Sequence, residues 1–245
     1  MNDSTPCSTE QWLPALTFHA CAGEEQWATA TAEAVTSALR GRLQQGLRPR
    51  LLVSGGGTPA PIFRKLASAT LDWSGVDIGL VDDRWLPPTD PGSNARLVRE
   101  NLLLDHAQDA HFDLLAPPGC SIDAAVAQAN LQARSPADVI LLGMGDDGHT
   151  ASLFPGMRGL DDALESAEAY VAVDAGGCPG AGQWARRISL TPAGLAPAAT
   201  RLLLLRGDGK RALLERIVEG TDPHVYPVRI AFTTPGAVLH VYWCP

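Results

Sequence analysis

Three times in this chain a short apolar run breaks at its end into a glycine-rich or acidic loop. Leu51-Leu52-Val53 runs into SGGGTP, VDIGLV into DDRWLPP, and Val139-Ile140-Leu141-Leu142 into GMGDDGHTASLFPG. Runs this short and this apolar suit strands buried on both faces of a sheet. Helical patterns separate them. Residues 24–45 are Ala-rich and free of proline, IFRKLAS puts Ile62, Phe63 and Leu66 on one face, and Ser93 stands as an N-cap before NARLVRENLL. SIDAAVAQANLQAR and GKRALLERIVEG are also helical, the second with Leu213, Leu214, Ile217 and Val218 on one face. AYVAV, RRISL and RLLLLRG read as strands, and VRIAF and VLHVYWC as two closing strands. Such alternation predicts an α/β fold with a mostly parallel sheet flanked by helices. With no internal repeat or linker, residues 16–245 are expected to form a single domain, and residues 1–15 a disordered N-terminal segment outside it.

In an open α/β sheet ligands collect at the carboxyl ends of the strands. Loops 54–59, 82–88 and 143–150 all leave strands in that sense, so they are expected to converge on one crevice. The chain of 245 residues carries a formal net charge of −8, which opposes broad attraction to nucleic acid or to an anionic membrane. An anionic small molecule would need a local basic pocket, which makes individual Arg and Lys positions informative. No apolar stretch approaches the ~20 residues of a membrane span, and the first residues lack the pattern of a secretory signal. The five cysteines, Cys7, Cys21, Cys120, Cys178 and Cys244, are scattered, odd in number and form no C-x-x-C pair. Free thiols in a reducing cytoplasm are therefore expected.

Each loop carries residues suited to chemistry. Ser54, Gly55, Gly56, Gly57 and Thr58 present backbone N–H groups without obstructing side chains and run into a helix, an arrangement that cradles phosphate. The loop matches neither dinucleotide nor nucleoside-triphosphate glycine patterns. Asp82, Asp83, Arg84 and Trp85 suit a local ion pair with a packed tryptophan, or an oxyanion site built on the Arg84 guanidinium. Arg187 and Lys210 add positive charge. Lys210 lies near a helix start, where a cation is unfavourable unless an anion joins it. His149 is the best general base, since an imidazole titrates near working pH, and Asp147 stands close enough in sequence to orient it. Asp147 or Thr150 could equally cap a helix. No serine lies in G-x-S-x-G, and the histidines are too scattered to suggest a metal site.

SGGGTP, DDRWLPPTDPGSNARLVRENLL, LGMGDDGHTASLFPG, RRISLT and GDGK, in this order over roughly residues 50–220, resemble the 6-phosphogluconolactonases. The resemblance implies a Rossmann-like sheet and hydrolysis of 6-phospho-D-glucono-1,5-lactone to 6-phosphogluconate, without metal or organic cofactor. By motif position it makes His149 the water-activating base, Asp147 its companion, Arg84 and Asp82 substrate-site residues, and Arg187 and Lys210 residues of the phosphate side. A cytoplasmic enzyme acting on a small sugar-phosphate lactone is expected, as a monomer or weak homodimer. Asp83 departs from the family's usual Glu. The related amino-sugar isomerases carry a glutamate before the Pro-Gly that follows the histidine, where this chain has Phe154. That residue sets the lactonase reading against an isomerase or deaminase one; a non-catalytic sugar-phosphate sensor is the third reading.

Overall fold

A computed structural model describes residues 6–245. The central sheet has eight strands in the order β1-β2-β11-β10-β7-β3-β4-β6. They are β1 (Ser8–Leu13), β2 (Leu16–Ala20), β3 (Arg50–Val53), β4 (Asp77–Leu80), β6 (His111–Phe112), β7 (Val139–Gly143), β10 (Thr200–Arg206) and β11 (Leu239–Cys244). All neighbours pair in parallel except β1 with β2. The mostly parallel α/β sheet is thus as the alternation predicts. Its middle strands β3, β7 and β10 are the purest apolar runs, and Leu51, Val139, Ile140, Leu141 and Leu203 are wholly buried. The long helices are α1 (Glu24–Gln44), α2 (Ala60–Ala67), α3 (Asn94–Asn101), α4 (Ile122–Gln132) and α7 (Asp208–Glu219), with short α5 (Leu160–Glu165), α6 (Pro192–Leu195) and α8 (Ile230–Thr233). Ser93 caps α3 as its position suggests, its side chain accepting from Ala95 N at 3.1 Å.

A second sheet is antiparallel and small: β5 (Asp82–Arg84), β9 (Arg186–Leu190) and β8 (Tyr170–Asp174). The stretch VDIGLVDDR, expected as a strand running into a polar loop, instead makes two strands that divide between the two sheets at Val81. Val81 N–H donates to Val53 O of β3 at 2.9 Å, and Val81 O accepts from Leu190 N of β9 at 2.9 Å. The division turns the chain over the carboxyl edge of the main sheet and hangs β5 above it.

Three other expectations are corrected. VRIAF is helical, spanning a 3₁₀ turn at Pro227–Arg229 and α8 rather than a strand. A five-residue apolar run cannot be told from a buried helical turn by periodicity, and Pro227 pre-sets the helical φ. The segment expected to precede the domain contributes the edge strand β1 from Ser8 onward, while residues 1–5 of it lie outside the described residues. Cys7 and Cys21 are joined in a disulfide instead of being free thiols. The hairpin register pairs Ser8 with Ala20, so the next positions outward are opposite, with Cα atoms 4.4 Å apart. Cys120, Cys178 and Cys244 are free.

From β3 the chain moves outward through β4 to β6, and from β7 it moves the other way to β10 and β11. The carboxyl ends of β3 and β7 therefore flank the point where the winding direction reverses, the usual place for a ligand crevice in such sheets.

Candidate active site

A cavity of about 170 Å³ opens at that point. At roughly 10–15 Å³ of such space per water, it holds on the order of a dozen water-sized groups, the scale of one small polar molecule. Ser54, Gly55, Gly56, Thr58, Asp82, Arg84, His149 and Arg187 all line it. The three loops do converge.

The N–H groups of Gly55, Gly56 and Gly57 make no backbone hydrogen bond within the described chain. Gly56 has φ +82°, a conformation that turns successive amides one way and that a side chain disfavours. Ser54 is different. Its hydroxyl donates to Leu141 O at 2.9 Å and its amide to the same oxygen at 3.1 Å, which fastens the loop to β7.

The strand period puts Asp82 and Asp83 on opposite faces of β5. Asp82 faces the cavity and accepts from Ser152 Oγ at 2.5 Å. Asp83 points at the start of α3, where its carboxylate accepts from Asn94 N at 2.7 Å, Arg84 N at 2.8 Å, Ser93 Oγ at 2.9 Å and Ala95 N at 3.3 Å. Burial pushes its carboxyl up to about 6, against the pull of the Asn94 amide and the Ser93 hydroxyl. Among the described residues Asp83 forms no salt bridge, so its shorter side chain serves α3 and not an arginine.

Arg84 likewise pairs with neither acid. Its Nη1 donates to Gly92 O at 2.9 Å and Asn94 Oδ1 at 2.7 Å, and its Cζ lies 5.3 Å from the Trp184 ring centre. Arg187, 3% exposed, donates to Ala181 O at 2.6 Å, Trp184 O at 3.0 Å and Ser152 Oγ at 3.4 Å, and lies over the Phe154 ring. Burial lowers its guanidinium below the usual value, and Asp82 works against that. Ser152 thus links Asp82 to Arg187.

His149 Nδ1 meets Asp147 Oδ1 at 2.5 Å, and the same oxygen accepts the His149 amide at 3.0 Å. Burial alone would raise the Asp147 carboxyl, but the hydrogen bonds from His149 hold it below the usual carboxylate range. An ionised carboxylate only accepts, so Nδ1 carries the hydrogen, and in the neutral ring the lone pair is then on Nε2. The pair needs Gly145. A methyl built there would overlap the imidazole and lie 2.6 Å from Asp147 Oδ1. Phe154, wholly buried, packs its ring 4.2 Å from the imidazole.

Gly57, Asp147 and Lys210 do not line the cavity. Lys210 Nζ donates to the carbonyl of cavity-lining Met144 at 2.7 Å and pairs with Asp146 Oδ1 at 2.7 Å. A protein carboxylate therefore already answers the cation at the start of α7. Asn94, Ser152 and Ala151 are site residues that sequence reasoning missed. Asn94 lies on the first turn of α3, its amide group donating to Asp82 O at 2.8 Å. A polar residue buried just after an N-cap was the available signal. Ala151 lines the cavity with φ +50°, which nothing in the sequence announces. Among the described residues no group of three or more His, Cys, Asp or Glu is placed to hold a metal ion, and no helix is long and apolar enough to cross a membrane.

A family profile described as glucosamine-6-phosphate isomerases/6-phosphogluconolactonase matches residues 22–243. The 6-phosphogluconolactonase of Xylella fastidiosa (strain Temecula1) is 49% identical over 221 residues, covering 89% of this chain and 92% of that protein. The 6-phosphogluconolactonase of Pseudomonas putida is 37% identical over 242 residues, 97% of each chain. The crystal structure of a 6-phosphogluconolactonase from Shewanella baltica superposes with a TM-score of 0.86 at 31% identity, over 93% of this chain and 97% of that one.

Proposed function

The chain belongs to the glucosamine-6-phosphate isomerase/6-phosphogluconolactonase family, and on that premise we propose that it is an enzyme that hydrolyses 6-phospho-D-glucono-1,5-lactone to 6-phosphogluconate, with His149 as general base and no metal. One observation carries the choice within the family: the imidazole stands at the cavity wall with Asp147 on Nδ1 and the apolar Phe154 ring against it. This is one base, held for proton transfer at Nε2, with a phenyl ring where the related isomerases carry the glutamate that helps to open a sugar ring.

His149 Nε2 takes a proton from water as the oxygen attacks the lactone carbonyl carbon. The lactone and the oxyanion formed from it both lie in a cavity walled by Arg84 and Arg187, where fixed positive charge holds the substrate and stabilises the oxyanion. Collapse breaks the ring C–O bond, and the imidazolium returns its proton to the departing ring oxygen. The products are a free hydroxyl and a carboxylic acid that ionises, releasing one proton to solution. A δ-lactone is already reactive, so proximity and one base suffice. The phosphate suits the open amides of Gly55–Thr58 and the helix behind them, with Lys210 reaching it past Met144.

Proton release tests the reading directly. Freshly generated 6-phosphogluconolactone should lose its lactone with one proton per turnover at a rate well above spontaneous hydrolysis, in protein treated with chelator. Isomerisation of glucosamine 6-phosphate with no lactone hydrolysis would overturn it.

A further inference from the structure

Between β8 and β9 the chain makes an excursion, residues 175–185, that contributes no side chain to the cavity wall. It nevertheless touches the site's working groups from outside. Ala181 O and Trp184 O accept two of the hydrogen bonds of Arg187, at 2.6 and 3.0 Å. The Trp184 indole covers Arg84, 5.3 Å from Cζ to the ring centre. Gly180 packs on the base itself: a methyl built there would lie 2.5 Å from Asp147 Oδ2 and 3.2 Å from His149 Nδ1.

Arg84 needs such help. Both of its side-chain hydrogen bonds leave from Nη1, and among the described residues its buried Nε has no partner. A guanidinium tethered at one nitrogen can still swing about that point, and an aromatic face laid over its plane removes the swing. The indole is seated closely enough for this, because a methyl on Gly92 would stand 2.6 Å from Trp184 Cζ2. Gly92 also supplies the carbonyl that holds Arg84 Nη1.

We propose that the turn Cys178–Trp184 is the positioning element of this site, with Trp184 aligning Arg84 and Arg187 for the substrate and Gly180 setting the distance between Asp147 and His149. The inference rests on the lactonase reading given above. Trp184 and Gly180 act through other residues, so their effects should divide. Trp184 governs groups that hold the substrate; Gly180 governs the group that moves the proton.

The test is kcat and KM on 6-phosphogluconolactone for wild type, Trp184→Leu, Trp184→Phe and Gly180→Ala, with thermal unfolding of each. Trp184→Leu should raise KM on the order of 3- to 30-fold, the scale of a cation–aromatic contact, and Trp184→Phe should recover most of it. Gly180→Ala should lower kcat on the order of 10- to 100-fold through displacement of the base, with KM near wild type. A folded Trp184→Leu protein with wild-type KM, or a Phe variant no better than Leu, would overturn the proposal. Should Trp184→Leu fail to fold, Gly180→Ala decides: wild-type kcat there is equally fatal. A wild-type protein without lactonase activity would instead overturn the functional reading and this inference with it, whereas an active wild type with indifferent variants refutes the inference alone.

Discussion

Loops 54–58 and 143–153 leave adjacent strands, β3 and β7, and wall the same cavity, yet they are built in opposite ways. In the first, the amides of Gly55, Gly56 and Gly57 have no backbone acceptor among the described residues. In the second, Gly145 N bonds His149 O at 2.8 Å, Gly148 N bonds Gly145 O at 3.1 Å, Leu153 N bonds Thr150 O at 3.0 Å, and Thr150 Oγ1 bonds Gly143 O at 2.8 Å. Val228 N closes the outer side on Gly148 O at 3.0 Å. A site for an anion needs donors left free until the ligand arrives. A base must be fixed before the ligand arrives, because each tenfold of rate corresponds to only about 1.4 kcal/mol. Glycine serves both loops for different reasons: positive φ at Gly56, and room for the imidazole at Gly145.

The largest expected effect falls on the knitted loop. His149→Ala should lower kcat ~10²–10⁴-fold with spontaneous hydrolysis subtracted, while the protein folds normally. Steady-state rates together with the unfolding midpoint check this. A folded variant within a few-fold of wild type would remove the base from the mechanism and erase the contrast between the loops.

Lys210 sharpens the contrast from the other side. Its ammonium is already shared with Asp146 and Met144 O, so a phosphate must compete for it. Lys210→Ala should raise KM for the phosphorylated lactone about tenfold, the low end of a charge-assisted contact. The same variant should leave glucono-1,5-lactone nearly unaffected. Equal changes on both substrates would place Lys210 away from the phosphate.

The smallest effect concerns Asp83, which belongs to neither loop and holds α3. Its unfolded carboxyl titrates near 3.8 and its folded one near 6. Between those values the folded chain keeps a proton that the unfolded chain has lost, so acidification favours the fold through this group. Asp147 works the other way: its folded carboxyl lies below the usual range, so its contribution is lost as pH falls. Wild type should therefore gain stability relative to Asp83→Asn, on the order of 1 kcal/mol, between about pH 6.5 and about pH 4.5. Denaturant midpoints of the two proteins at both pH values give the answer. A gain in the opposite direction would mean that the four donors around Asp83 outweigh its burial.

The parts of the fold legible in the sequence are those set by local pattern. Apolar runs gave β3, β7 and β10, and Ser93 marked the start of α3. What depends on pairing between distant segments was hidden. Val81 divides the stretch VDIGLVDDR between two sheets because its amide and carbonyl bond different strands, and side-chain periodicity carries no trace of that. The Cys7–Cys21 disulfide follows from a hairpin register, which spacing alone does not reveal. Within the site, residues announced by glycines and charges, such as His149 and Arg84, could be read directly. Asn94 and Ser152 could not, since their roles come from which carboxylate or guanidinium the fold brings beside them. Trp184 was invisible for the same reason.

The division of labour between the two loops is the central claim, and one ratio tests it: kcat/KM on 6-phosphogluconolactone over kcat/KM on glucono-1,5-lactone, for wild type, Gly145→Ala and Gly56→Ala. Gly145→Ala displaces the base that both substrates need, so it should depress both values and keep the ratio. Gly56→Ala strains the loop whose amides only a phosphate uses, so it should bring the ratio down toward that of a protein blind to the phosphate. A ratio that falls equally in both variants, or falls only in Gly145→Ala, would contradict the account.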